Sequence, residues 1–202
     1  MILVTGSAGQ IGTELVTELR NRHGSENVLA GRHKTPLPEE IASSGPSAIV
    51  NVTEPEQLKS TLLTHGVTQI FHLSSILSVL AESDIQTAHQ VNINGVFSIL
   101  NTAFETNVEQ VIIPSSIAAF GVDTPRTLTP NDTIQRPSTV YGISKVFTEL
   151  IGNYFYSRFG LDVRGLRLPG VISWKTEPTA GTTDYAVAMF YGAIRDNKYE
   201  CY

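Results

Sequence analysis

This sequence predicts a doubly wound α/β fold around one parallel sheet. Two observations carry the prediction. Six short apolar runs, rich in Val, Ile and Leu and mostly without polar alternation, are separated by segments of helical period. That is the pattern of strands buried on both faces. The first run also opens directly into glycines spaced three apart, a turn that leads a strand into a helix.

The runs are 2–6 (ILVTG), 27–31 (NVLAG), 47–52 (SAIVNV), 69–75 (QIFHLSS), 110–116 (QVIIPSS) and 162–168 (DVRGLRL). Helical period fills 11–23, 55–65, 84–107 and 139–159, and a further helix is expected near 183–195. "TEPE" at 53–56 has the form of a capping box, with Thr53 as N-cap and Glu56 three residues on. The Pro/Thr/Ser-rich stretches 33–46 and 121–138 read as loops.

Charge and composition narrow the function classes. Lys and Arg number 14 against 19 Asp and Glu, a formal charge of −5. No basic run or basic helix face is present, so no nucleic-acid partner is expected. No apolar stretch reaches the length of a membrane span, and "MILVTG" lacks the basic start of a signal peptide. The one cysteine, Cys201, excludes an internal disulfide and suits a reducing compartment, so a cytoplasmic location is expected. His23, His33, His65, His72 and His89 show no ligand spacing, and no metal is expected. His72 sits in a strand and reads as a core histidine.

"VTGSAGQIG" places Gly6, Gly9 and Gly12 between the first strand and the first helix. Such a turn suits a dinucleotide. One glycine makes the turn, one lets backbone approach the pyrophosphate, and one lets helix pack on strand. The helix N-terminus then presents free N–H groups and its positive dipole end to the phosphates. An acidic residue at the end of the second strand usually accepts the adenosine ribose of NAD. Here Gly31-Arg32-His33-Lys34 stand instead; they suit the 2′-phosphate of NADP or form a solvated turn.

"TVYGISKVFTEL" (139–150) sets Tyr141 and Lys145 four residues apart on one helix face. A tyrosine has a pKa of about 10, and a nearby cation lowers it toward use as a base. Ser115 and Ser116, at the end of a buried run, offer hydroxyls to a substrate alcohol. By helical phase Ile143, Val146, Phe147, Leu150, Ile151 and Tyr154 form an apolar stripe, with Tyr141, Lys145 and Thr148 roughly opposite. The pair therefore faces water or a second cleft rather than the core. The aromatic set Tyr154, Phe155, Tyr156 and Phe159 reads as core or subunit interface.

In this order, GxxGxxG at 6–12, "HLSS" at 72–75, "NING" at 92–95, "SSIAAFG" at 115–121 and YGISK at 141–145 resemble the extended, epimerase-like branch of the short-chain dehydrogenase/reductase superfamily. "PSSIAAFG", "RPSTVYGISK", "RLPGVIS" (167–173), "GTTDYAVAMFYGAI" (181–194) and "KYECY" (198–202) are most similar to the short-chain-type L-threonine 3-dehydrogenases. The resemblance covers essentially the whole chain. It implies a Rossmann domain over 1–170 that binds NAD and the start of a substrate-binding lobe over 171–202, incomplete within these residues. It implies oxidation of the 3-hydroxyl of L-threonine to 2-amino-3-oxobutanoate, with hydride passing to NAD. Carried over by position, Tyr141 is the base, Lys145 its partner and Ser116 the catalytic serine.

The same resemblance places Gly6, Gly9, Gln10, Ile11, Gly12, Arg32, Asn51, Val52, Leu73, Ser74, Ser75, Asn92, Leu168 and Pro169 beside the cofactor, with Tyr141 and Lys145. Ser74, Ser115, Ser116, Tyr141, Gly181 and Thr182 are implied around threonine. Arg32 stands where the family carries an aspartate, which keeps NADP open beside NAD, and Asn51 replaces a usual aspartate near the adenine. The extended branch also implies a homodimer through the helices at 84–107 and 139–159. The alternatives are a nucleotide-sugar epimerase or dehydratase of the same fold, or a non-catalytic dinucleotide-binding sensor.

Overall fold

A computed structural model describes residues 1–173 and 184–200. Its centre is a six-stranded parallel sheet. The strands are β1 (Ile2–Thr5), β2 (Val28–Arg32), β3 (Ser47–Ile49), β4 (Gln69–His72), β5 (Gln110–Ile112) and β7 (Asp162–Arg164), in the order β3-β2-β1-β4-β5-β7. A separate two-stranded parallel pair joins β6 (Ser115–Ser116) to β8 (Arg167–Leu168). The ladders are shorter than the apolar runs, because the last residues of several runs leave the sheet to shape loops at its C-terminal edge.

Alternation along β1 explains the layering. Leu3 enters one core with Leu29, Leu58, Leu62, Ile70, Ile99, Leu100, Val111 and Phe155. Its neighbours Ile2 and Val4 enter another with Val16, Leu19, Val28, Ala30 and Ile41. Successive side chains on a strand point to opposite faces, so the sheet is covered twice. Helices α3 (Pro55–Thr64), α6 (Gly95–Glu105) and α7 (Val140–Phe159) close the first face. Helix α1 (Gln10–His23) and the short α2 (Glu39–Ser43) close the second. This is the Rossmann architecture that the strand–helix alternation predicts.

Several local expectations change. α3 begins at Pro55 with no side-chain cap. Thr53 instead donates its hydroxyl to Asn51 Oδ1 at 2.8 Å, so the capping box does not form; Pro at the first helical position needs no N–H partner. The helix expected at 84–107 is built from α5 (Ile85–His89), a wider turn of π-helical pitch at Gln90–Asn94, and α6. A short α4 (Ser78–Ser83) precedes it, and α8 spans Tyr185–Arg195.

α7 also turns differently from the simple stripe. Its buried residues are Gly142, Ser144, Lys145, Thr148, Gly152 and Phe155, while Ile143, Leu150 and Tyr154 are more than half exposed. The face that carries Lys145 points into the molecule, and part of the apolar stripe points out. Only Phe147 and Ile151, at its edge, reach the core.

Candidate active site

The sheet order reverses between β1 and β4, and ligands of such sheets sit outside the strand C-termini at that point. There a cleft of about 530 Å³ opens. One end is the glycine turn. Gly6 has φ +70° and makes the bend, and a Cβ on Gly12 would lie 2.2 Å from the Gly6 carbonyl oxygen. Only glycine lets α1 start this close to β1. Gly9 precedes the helix in extended conformation, and Gly6, Gly9, Gln10, Ile11 and Gly12 line the cleft. The α1 N-terminus with a backbone-only wall fits a pyrophosphate.

The floor comes from the end of β4. Thr5 Oγ1 accepts the N–H groups of Leu73 and Ser74 at 3.2 and 3.3 Å. With both lone pairs engaged, its proton goes to His72 Nδ1 at 2.9 Å. His72 is therefore the neutral Nε2–H tautomer. Burial first, and then the charge of Lys145, depress its pKa to about 3. Its Nε2 has no partner among the described residues, so the core histidine expected from the sequence is satisfied on one side only. Asn92, in the π-helical turn, accepts from Ser75 Oγ and Ile76 N and donates to the Ile76 carbonyl, at 3.2, 2.8 and 2.9 Å. It holds the 75–76 loop in place at the cleft wall.

The other wall carries the Tyr–Lys pair. Thr139 caps α7 by accepting the Gly142 N–H at 3.0 Å. A Cβ on Gly142 would meet the Ala118 carbonyl oxygen at 2.3 Å, so this glycine allows α7 to touch the turn after Ser116. The Ser116 hydroxyl, which accepts the Ala118 N–H at 3.1 Å, lies close to Tyr141; burial raises the Tyr141 pKa and the Ser116 hydroxyl counters it. Lys145 Nζ lies 5.2 Å from the Tyr141 ring centroid and donates to the Pro114 carbonyl at 3.0 Å. Burial lowers its pKa to about 8. The lowered phenol pKa expected from the helix spacing is thus absent here: the ammonium sits under the ring and bonds a carbonyl, while burial dominates at the hydroxyl.

Most sequence-predicted residues meet in this one cleft. Leu73, Ser74, Ser75, Asn92, Ser115, Ser116, Tyr141, Lys145, Leu168 and Pro169 line it with the glycine turn. Three do not. Arg32 sits at the end of β2 and donates to the His33 carbonyl at 3.3 Å. Asn51 Oδ1 is engaged by Thr53, and Val52 is buried in the core. Gly181 and Thr182 lie outside the described residues.

Sequence reasoning missed the Pro114 carbonyl, His72 as a cleft residue, and Gln10 Nε2 donating to the Val171 carbonyl at 3.2 Å. The last two are long-range contacts without a local signal. It also missed that Ser115 turns its hydroxyl to Glu149 Oε1 at 2.5 Å. Among the described residues no three His, Cys, Asp or Glu side chains converge as metal ligands, and no helix is long and apolar enough to cross a membrane.

The arrangement can bind a dinucleotide along α1 and hold an alcohol against two hydroxyls and a buried cation. Known proteins point the same way. L-threonine 3-dehydrogenase, mitochondrial, of Bos taurus is 42% identical over 200 residues, 99% of this chain and 53% of that protein. An uncharacterized epimerase/dehydratase of Staphylococcus epidermidis is 42% identical over 201 residues, 100% of this chain and 63% of that one.

Among solved structures, L-threonine dehydrogenase from Clostridium difficile superposes with a TM-score of 0.94 at 43% identity, covering 100% of this chain and 63% of that one. A monomeric L-threonine 3-dehydrogenase from a metagenome gives 0.93 at 40%, covering 100% and 64%. The chain thus spans between about half and two thirds of the length of these relatives. A model of the NAD dependent epimerase/dehydratase family matches residues 2–198, and its glycine turn leads into the same cleft as the Tyr141–Ser116 pair: the chain belongs to that family.

Proposed function

We propose that this chain carries the cofactor domain and the reacting groups of an NAD-dependent L-threonine 3-dehydrogenase, which converts the 3-hydroxyl of L-threonine to the ketone of 2-amino-3-oxobutanoate. The observation that carries the reading is the Tyr141–Ser116 hydroxyl pair, with Lys145 beneath the ring, in the cleft that begins at the glycine turn. Bound NAD supplies the hydride acceptor and a positive charge that favours the Tyr141 phenolate. Tyr141 takes the proton of the substrate hydroxyl, and Ser116 holds that hydroxyl in line. Lys145, buried and cationic below its pKa of about 8, stabilises the phenolate once it forms. Leu168 and Pro169, which line the cleft, would border the nicotinamide of a bound cofactor, and Ser74 with Gly181 and Thr182 is assigned to the charged ends of threonine. The reading places the boundary of the cofactor domain at residue 170 and the substrate lobe from 171 onward.

The test mixes the full-length protein with NAD or NADP and L-threonine and follows absorbance of the reduced cofactor. Turnover with threonine, but not with L-serine or nucleotide sugars, supports the reading. Turnover only with a nucleotide sugar replaces it with an epimerase or dehydratase, the reading favoured by the name of the staphylococcal relative. Tyr141→Phe should lower kcat by about 10²-fold or more with cofactor affinity nearly unchanged; a variant retaining most of the rate removes Tyr141 as the base.

The cofactor is assigned as NAD, with NADP held open by Arg32. The single cysteine supports a reducing compartment, assigned as the cytoplasm. The assembly is assigned as a homodimer. Phe97 and Phe104 on α6 and Ile143, Leu150 and Tyr154 on α7 are each between about two-fifths and three-fifths exposed, an apolar face across two adjacent helices. A monomeric mass by light scattering at micromolar concentration would overturn the dimer.

A further inference from the structure

Beside the cleft, joined to it through Ser115 and Thr148, lies a cluster around Glu149 and Arg167 that the proposed chemistry does not use. Glu149 follows Lys145 by one helical turn on α7. Its carboxylate receives Arg167 Nε at 2.9 Å and a terminal Arg167 nitrogen at 2.7 Å, a two-pronged pair. It also accepts Ser115 Oγ at 2.5 Å and Gln135 Nε2 at 2.9 Å. The other terminal nitrogen of Arg167 reaches the Asn131 carbonyl at 2.7 Å, and the guanidinium lies over the Phe120 ring at 5.2 Å. The carboxylate and the guanidinium are about one-fifth exposed. Burial alone would raise the Glu149 pKa; the bonds from Arg167, Ser115 and Gln135 outweigh it and hold the carboxyl below its usual range.

The register gives the cluster its meaning. Ser115 pairs with Arg167, and Ser116 pairs with Leu168. Strand alternation sends the first pair to one face and the second to the other. Ser115 borders the cleft but turns its hydroxyl to Glu149, which also grips Arg167, while Ser116 and Leu168 line the cleft without contact to that carboxylate. Glu149 and Tyr141 ride on the same helix, so one carboxylate ties the strand bearing Ser116 to the helix bearing its partner. A strand of two residues has too few ladder bonds to hold that parity unaided.

We propose that Glu149, with Ser115 and Arg167, is a positioning anchor that sets Ser116 against Tyr141, and that Ser115 acts through this anchor rather than by holding substrate. The proposal rests on the reading of Tyr141 and Ser116 as the reacting hydroxyls. A shift of about 1 Å in such a group lowers a rate by as much as 10²-fold.

The experiment is a double-mutant cycle with Ser115→Ala and Glu149→Gln in the full-length protein, reading kcat, KM, cofactor affinity and the Tyr141 titration. The last is an ultraviolet difference titration against Tyr141→Phe. Ser115→Ala removes only one oxygen and keeps the test open if Glu149→Gln folds poorly. Each variant should lower kcat about tenfold or more with KM for threonine and cofactor affinity within about twofold. The double variant should be no slower than the slower single one, because both changes cut the same anchor.

A raised KM at unchanged kcat for Ser115→Ala means that its hydroxyl holds substrate and overturns the proposal. So do effects that multiply, a fully active Glu149→Gln, or parallel loss of cofactor affinity and thermal stability. If the unaltered protein does not turn over threonine, the substrate reading fails and the titration decides. A Tyr141 pKa raised in both variants keeps the anchor, because the nearby Ser116 hydroxyl that lowers it has moved away; an unmoved one removes it.

Discussion

Lys145 puts the site and the fold in conflict, and the conflict can be measured. Its side chain is 8% exposed, and burial pulls its pKa down to about 8 from an unfolded value of about 10.4. The folded pKa is the lower one. Between these values the unfolded chain holds a proton that the folded chain has released, so stability rises with pH across that window. Below pH 8 the folded protein bears the full cost of the buried ammonium, roughly 3 kcal/mol at about 1.4 kcal/mol per pKa unit. Lys145→Met keeps the apolar stem and removes the charge. It also leaves the Pro114 carbonyl without its donor, at about 1 kcal/mol.

With no cofactor added, Lys145→Met should therefore be more stable at pH 7 by about 2 kcal/mol, or roughly 4–8 °C in Tm for a domain of this size. By pH 9.5 about two-thirds of the charge cost has gone, and the advantage should shrink to near zero. Reversible urea unfolding at both pH values gives the comparison. A variant less stable at pH 7, or an advantage that does not change with pH, would refute this account of a strained cation. The same variant should have lost nearly all turnover, the trade expected where a site is kept at the expense of stability.

Three further outcomes follow from particular contacts. Gly142→Ala places a Cβ where the Ala118 carbonyl oxygen lies at 2.3 Å; α7 must back away, and kcat should fall about tenfold or more while cofactor affinity by fluorescence titration holds; an unchanged kcat would show that the approach does not matter. Arg20 is 5% exposed and gives hydrogen bonds to the Ile41, Val28 and Pro46 carbonyls and to Ser44 Oγ. Arg20→Met should cost about 2 kcal/mol in urea unfolding by removing these buried, charge-assisted bonds, although the Pro46 carbonyl keeps the Ala30 N–H, and equal or higher stability would mean that burying the guanidinium costs more than its bonds return. Arg32→Asp should raise the ratio of NAD to NADP use if Arg32 meets the 2′-phosphate, and an unchanged ratio of kcat/KM values would leave Arg32 as a solvated turn residue.

The apolar runs, the glycines at 6, 9 and 12, and the Tyr141–Lys145 spacing are local signals, and each survives in the folded chain. Buried parallel strands need unbroken apolar residues, a strand-to-helix turn this tight excludes a Cβ at Gly12, and i,i+4 residues share a helix face wherever the helix goes. These short-range constraints are enough for the fold class, the position of the cleft and most of its lining. They do not say which way a face points. α7 turns its Lys145 side inward because Gly142, Gly152 and the Ala118 turn let it sit close there, and part of its apolar stripe is left outside.

Nor do they separate Ser115 from Ser116. That parity depends on pairing with Arg167 and Leu168, about fifty residues on in the chain, and on a carboxylate from a third element. Thr53 shows the same limit at short range, where Asn51 and Pro55 together displaced a cap that the four-residue pattern suggested. Period and spacing are written residue by residue, whereas the partner of a polar side chain is chosen only when distant segments meet in space.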